Sequence, residues 1–120
     1  MTGVLVCEDA PDMRALLRDV LDADPGLRVG GEAHDGSAAL RLAGQLQPDV
    51  VLLDIGMPGP PSRDVVEGVR RVAPSAAIVV LSGYGPDRLG PEASDQVAAH
   101  LPKTTDLATL RRTLREAGAG

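Results

Sequence analysis

Glu8-Asp9, Asp54, Ser82 and Lys103 are the residues of this chain whose types could do chemistry together, provided that the fold brings them to one place. Three crowded carboxylates repel one another and call for a cation. An oxygen-only set that leaves room for water suits Mg²⁺ better than zinc, whose usual His and Cys partners are missing from these segments. A hydroxyl and a lysine beside such an ion are what a phosphoryl group in transfer needs. The ion and the ammonium take up charge on the equatorial oxygens, and the hydroxyl donates a hydrogen bond. Asp54 is then the natural nucleophile, becoming an aspartyl phosphate. Each residue alone has a plainer reading: Glu8-Asp9 caps a helix, Asp54 caps a turn, Ser82-Gly83 makes an ordinary turn, and Lys103 is solvated. Their joint placement at the ends of strands is what separates the two readings.

The run Pro48–Pro58 carries the argument furthest. Val50-Val51-Leu52-Leu53 is apolar without interruption and rich in β-branched residues, as in a strand buried on both faces of a parallel sheet. It delivers Asp54 at its carboxyl end, the edge of open α/β sheets where ligands bind. Strand-like segments recur five times, at Val4–Cys7, Leu27–Ala33, Val50–Asp54, Ala77–Leu81 and Val97–Leu101. Helical spacing falls between them. Met13, Leu16, Leu17, Val20 and Leu21 share one face, with Pro11 in the first turn. Asp35-Gly36-Ser37 caps a second helix carrying Leu40, Ala43 and Leu46, and Val65, Val66, Val69 and Val72 mark a third, ended by Pro74. Thr105-Asp106 opens a last helix with Leu107, Leu110 and Leu114 inward. Its Arg111, Arg112 and Arg115 point outward and suit the C-terminal dipole. Strict βαβ alternation predicts one α/β domain over residues 1–120, a three-layer sandwich with a parallel sheet between helices. The first, third and fourth strands are expected at its centre and the second and fifth at its edges.

Two segments are irregular. Gly83–Pro91 holds three glycines and two prolines, and an internal proline costs a helix ~3 kcal/mol. The fourth helix is therefore expected to be short or to start only near Pro91. Gly118-Ala119-Gly120 reads as a frayed end.

Composition bounds the partners. A formal charge of −5 argues against wrapping nucleic acid or an anionic membrane. Cys7 is the single cysteine, so no internal disulfide forms, and its apolar run makes it a buried core residue. Tyr84 is the single aromatic residue, so Val, Leu, Ile and Ala must build the core. The first residues lack the basic flank of a signal peptide and no apolar run is long enough to span a bilayer, which predicts a cytoplasmic protein.

Val4–Asp9, Pro48–Pro58 with its Asp-x-x-Met-Pro core, Leu81-Ser82-Gly83 and Leu101-Pro102-Lys103 resemble the response-regulator receiver domains of the CheY-like family, over essentially the whole chain. The resemblance implies a flavodoxin-like, doubly wound five-stranded parallel sheet of order 2-1-3-4-5. It implies Mg²⁺ held by the Asp9 and Asp54 side chains and the Gly56 carbonyl, with Glu8 acting through water, and phosphoryl contacts from Ser82 and Lys103. It further implies a sensor histidine kinase as donor. Output then runs through the fourth helix, fifth strand and fifth helix, to a homodimer or to a fused or separate output domain. Such a receiver is not an enzyme beyond its own phosphorylation and dephosphorylation. Val29–Ala33 resembles receivers that precede a helix-turn-helix domain, although no such domain lies in these residues.

The chain departs from that pattern at His100, which stands where the family carries a Tyr or Phe switch, and is read here as an edge-strand side chain facing solvent. Thr104 replaces the usual Pro after the lysine, and Pro60-Pro61-Ser62-Arg63 replaces the common Asp-Gly. These departures keep a rival reading open, a docking or dimerisation module with a receiver fold that works without phosphorylation. A flavin binder is disfavoured because Glu8, Asp9 and Asp12 would repel an uncompensated phosphate. A separate Asp-dependent phosphatase is disfavoured because so short a chain offers no substrate cap.

Overall fold

The computed structural model describes residues 1–83 and 89–119, so Tyr84, Gly85 and Pro86 of the irregular stretch lie outside the described residues. The elements follow in the order β1 (Thr2–Cys7), α1 (Pro11–Asp22), β2 (Leu27–Ala33), α2 (Gly36–Leu46), β3 (Val50–Asp54), α3 (Ser62–Val72), β4 (Ala77–Ser82), α4 (Gly90–Ser94), β5 (Ala99–Pro102) and α5 (Leu107–Ala119). The strands form one parallel sheet in the order β2-β1-β3-β4-β5, with the three most apolar strands in the middle as expected.

Alternation along the strands divides the core into two layers. Val4, Val6, Val50, Leu52, Val79 and Leu81 face α1 and α5. Leu5, Cys7, Val51, Leu53, Ile78 and Val80 face α2, α3 and α4. Cys7 is buried in the second layer, and burial pushes its thiol far above the ordinary range, so it is an inert core residue. Among the described residues no helix is long and apolar enough to cross a membrane.

Local chemistry sets the helix ends. Pro11 opens α1, where its missing N–H is harmless. Asp35 accepts the Ala38 N–H at 2.7 Å and caps α2, and Asp106 accepts the Thr109 N–H at 2.7 Å at the start of α5. α2 stops at Gln47, which takes the left-handed conformation and donates its side-chain amide to the carbonyls of Gly44 and Val72. The β1–β2 ladder steps from Val4↔Val29 to Leu5↔Gly31, leaving Gly30 bulged out of the register.

The structure departs from the expected pattern at several places. Leu16, Leu46, Val72 and Leu107 are substantially exposed although their spacing puts them with inward residues. Leu46, Val72 and Leu107 each sit at the end of a helix, where the face turns away from the sheet. Leu46 still covers the edge strand: a Cβ at Gly31 would stand 2.7 Å from its Cδ1. α4 is a single turn, as the glycines and prolines before it predict. β5 starts two residues later than expected, because Val97 is spent on the turn that leaves α4, its N–H donating to Ser94 O. α5 runs on to Ala119, so Arg111 and Arg115 lie short of its end and pair with Asp24 of the α1–β2 loop. Gly118 is helical and not frayed; a Cβ there would collide with the Thr2 side chain.

Candidate functional site

Four strands end at the same edge of the sheet, and each delivers one part of the site. The β1 ladder stops at Cys7, and the next two residues carry Glu8, 1% exposed, and Asp9, which is exposed. β3 ends on Asp54, 7% exposed. β4 ends on the buried Ser82, and Lys103 follows β5 directly, its N–H donating to Ser82 O at 2.9 Å. The carboxylates of Glu8, Asp9 and Asp54 each bring an oxygen into one group spanning no more than 4.8 Å. Lys103 Nζ lies 3.1 Å from both Glu8 Oε1 and Asp54 Oδ1. A surface cleft of about 430 Å³ opens over these groups, lined by Asp9, Asp54, Ile55, Gly56, Gly83 and Lys103.

Electrostatics of the cluster follow from burial and crowding. Asp54 is pushed up to about 8, first by burial and then by the Glu8 carboxylate beside it, against the opposing pull of Lys103. Burial works to lower Lys103, but its hydrogen bonds and charge pairing with Glu8 and Asp54 outweigh that and hold its ammonium above the ordinary value. One lysine therefore does not neutralise three acids. Among the described residues Glu8 Oε2 is buried with no hydrogen-bond partner. A buried carboxylate oxygen without a donor carries a large desolvation penalty. The donor set is all oxygen and open to solvent on one side, which fits a hard divalent cation of the Mg²⁺ type.

The loop after β3 shapes the rim of the cleft. Gly56 has φ +95°, a conformation that side-chain-bearing residues avoid, and its N–H donates to Ser62 Oγ at 3.0 Å. Ile55 and Met57 turn into the core on either side and pin the loop.

His100 differs from its expected place. It sits opposite Val80 on β5, half-buried and not facing solvent, and its Nε2 is buried without a hydrogen-bond partner among the described residues. Burial lowers its pKa below the ordinary 6.5. The reason is register: Ala99 and Leu101 pack on the α1–α5 side, so His100 between them falls on the other side of the sheet.

The expected residues Glu8, Asp9, Asp54, Ser82 and Lys103 thus meet at one edge, with Gly56 on its rim. Sequence reasoning missed Arg14, Glu32 and Ser62, which hold the backbone of the site. Arg14 Nη1 donates to Glu8 O at 2.9 Å. The only signal for Arg14 was a basic residue in the second turn of the helix after Glu8-Asp9, which reads equally well as a solvated surface arginine.

Comparison with known proteins agrees with this arrangement. The sequence profile of the response regulator receiver domain matches residues 4–115. The transcriptional regulatory protein LiaR of Bacillus subtilis is 33% identical over all of this chain and 57% of its own length. The nitrate/nitrite response regulator NarP of Escherichia coli is 40% identical over 66% of this chain and 37% of its own length. The chain thus spans roughly 37% to 57% of the length of these relatives. Among solved structures, the signal receiver domain of the response regulator NarL from Mycobacterium tuberculosis superimposes with a TM-score of 0.90 at 29% identity, covering 99% of this chain and 97% of that one. The response regulator domain of Thermotoga maritima CheB gives 0.88 at 25% identity, covering 100% and 98%. With profile, relatives, sheet order and acidic edge in agreement, the chain belongs to the response-regulator receiver domain family.

Proposed function

We propose that this receiver is a phospho-acceptor switch of two-component signalling, taking a phosphoryl group from the phosphohistidine of a sensor kinase onto Asp54. The carrying observation is the buried Asp54 at the end of β3 with Lys103 Nζ at 3.1 Å and two further carboxylates at hand. An Asp54 oxygen forms the new bond to phosphorus as the bond to the donor's imidazole nitrogen breaks, and the electron pair leaves with the imidazole. Lys103 moves its attention from a carboxylate oxygen to a phosphoryl oxygen, and the Ser82 hydroxyl donates to another. Asp9, Asp54 and the Gly56 carbonyl would hold Mg²⁺, with Glu8 acting through water, and the ion would offset the charge that gathers on those oxygens. The reaction belongs to the receiver alone, as its own phosphorylation and dephosphorylation. The role calls for a sensor kinase as donor and a cytoplasmic setting, with output through a homodimer or through a fused or separate output domain. His100 stands on the face through which the phosphorylated state is read out.

Incubation with a small phosphodonor and Mg²⁺ tests the reading. One phosphoryl group should appear on the wild type by intact mass, and none on Asp54→Asn. An unmodified wild type, with both the small donor and a kinase, would sink it.

A second reading, a docking module that ignores phosphorylation, draws support from the single-turn α4 and the half-buried His100. Equal partner affinity or dimerisation with and without beryllofluoride would favour it.

A further inference from the structure

The peptide of Glu8 is gripped from both sides by groups that are not part of the acidic cluster. Its N–H donates to Ala33 O at 2.9 Å, and its C=O accepts from Arg14 Nη1 at 2.9 Å. The Arg14 Nε stands 3.5 Å from Glu32 Oε1, while Arg18 Nη1 approaches the other oxygen of Glu32 at 3.5 Å. Glu32 and Ala33 are the last two residues of β2, within the Val29–Ala33 segment that the acidic site does not otherwise use.

We propose that Arg14, oriented by Glu32, is a positioning residue that fixes the Glu8–Asp9 segment for cation binding. This rests on the reading of the acidic edge as a cation site. The β1–β3 ladder ends at Cys7, one residue before Glu8, so β3 no longer fixes the chain there, and the sheet holds Glu8 through its N–H bond to Ala33 O of β2 alone. The Glu8 side chain is buried on one side of that peptide, and Asp9 follows on the other. Any rotation of the peptide therefore moves both carboxylates relative to Asp54. A guanidinium is suited to hold it, because its planar fork serves the carbonyl and the Glu32 carboxylate at once in fixed geometry, which an ammonium cannot. Arg14 is only about a quarter exposed, so the arrangement is shielded from the solvent that would otherwise loosen it.

Positioning and plain electrostatics predict opposite signs. Removing a cation close to an acidic cluster should tighten Mg²⁺ binding if charge alone matters. Removing a support should weaken it. Mg²⁺ is titrated calorimetrically into the wild-type chain and into Arg14→Met, Arg14→Lys, Glu32→Gln and Arg18→Met, with melting in EDTA as a separate measure of fold. Affinity should fall about tenfold in Arg14→Met, in the range typical of groups that orient metal ligands. Arg14→Lys should fall between that variant and the wild type, and Glu32→Gln should fall less because the amide oxygen still faces Arg14. Arg18→Met, which removes the same charge but does not touch Glu8, should bind Mg²⁺ as tightly as the wild type or more so. Unchanged or tighter binding in Arg14→Met overturns the proposal, and so does an equal loss in Arg18→Met. If Arg14→Met fails to fold, unchanged affinity in Glu32→Gln overturns it. A wild type that takes up no Mg²⁺ defeats the cation reading itself, a different result from a wild type that binds while Arg14→Met binds equally well.

Discussion

Lys103 Nζ stands 3.1 Å from Asp54 Oδ1, although Asp54 ends β3 while Lys103 follows β5, and most of the second half of the chain separates them. The pair joins the ends of β3 and β5 across β4, whose terminal Ser82 accepts the Lys103 N–H. It also eases the burial of Asp54, 7% exposed, beside the more deeply buried Glu8. The lysine supplies part of the missing charge.

Removing that charge should raise Asp54 further. Lys103→Met is expected to move the Asp54 carboxyl above its value of about 8, because the one lowering influence is gone. Carboxyl carbon shifts followed by NMR in EDTA would show it. The same variant should lose about 1–2 kcal/mol of stability, a figure kept small because Lys103 is partly solvated.

Without divalent cation, stability should fall as pH rises. The folded Asp54 carboxyl titrates near 8 and its unfolded counterpart near 3.8, so between these values the folded state holds more protons. The contribution is fully present below the unfolded value and is lost as pH climbs through the folded one. Denaturation in EDTA at intervals from pH 4 to pH 8 should show the decline for the wild type, and Asp54→Asn should flatten it.

His100 should behave in the opposite sense. Its folded pKa lies below 6.5, so the folded state resists protonation and loses stability as pH falls below that value. Replacing it by Phe removes a buried nitrogen that has no partner among the described residues, and about 1 kcal/mol of added stability is expected near neutral pH. Thermal melts at pH 5.5 and pH 7.5 would be compared, with the gain larger on the acid side.

Gly56→Ala should perturb the rim of the cleft. A side chain at φ +95° is strained by roughly 1–2 kcal/mol. Relief of that strain would shift the Gly56 N–H away from Ser62 Oγ, so Mg²⁺ affinity should fall together with the melting temperature. A variant that melts lower while binding Mg²⁺ normally would separate the loop from the site.

Strand identity, the split into central and edge strands, and the meeting of Glu8, Asp9, Asp54, Ser82 and Lys103 were legible in the sequence because they rest on apolar runs ending in or near a polar residue. The full strand order came from the family resemblance. Asp35 and Pro11 were legible for a similar reason, since capping chemistry is local. What escaped depended on which way a side chain turned once neighbours were in place. Nothing in the spacing distinguishes the exposed Leu16 from the buried Leu17. His100 was read as solvent-facing because an edge strand was taken to have a wet side, whereas α4 covers that layer. Arg14 and Glu32 stand on the successive elements α1 and β2, but neither shows a partner in the sequence pattern, and only the fold makes their meeting visible. Arg111 and Arg115 of α5 were assigned to a helix dipole although the loop residue Asp24 claims them.

The bulge at Gly30 bears on how this molecule meets copies of itself. A foreign strand laid along the rim of β2 would find the spacing of N–H and C=O groups broken between Val29 and Gly31. At the opposite rim, β5 is only four residues long and offers an incoming strand little to pair with. Both margins of the sheet are thus poor templates for an incoming strand, which works against growth of the sheet from one molecule into the next.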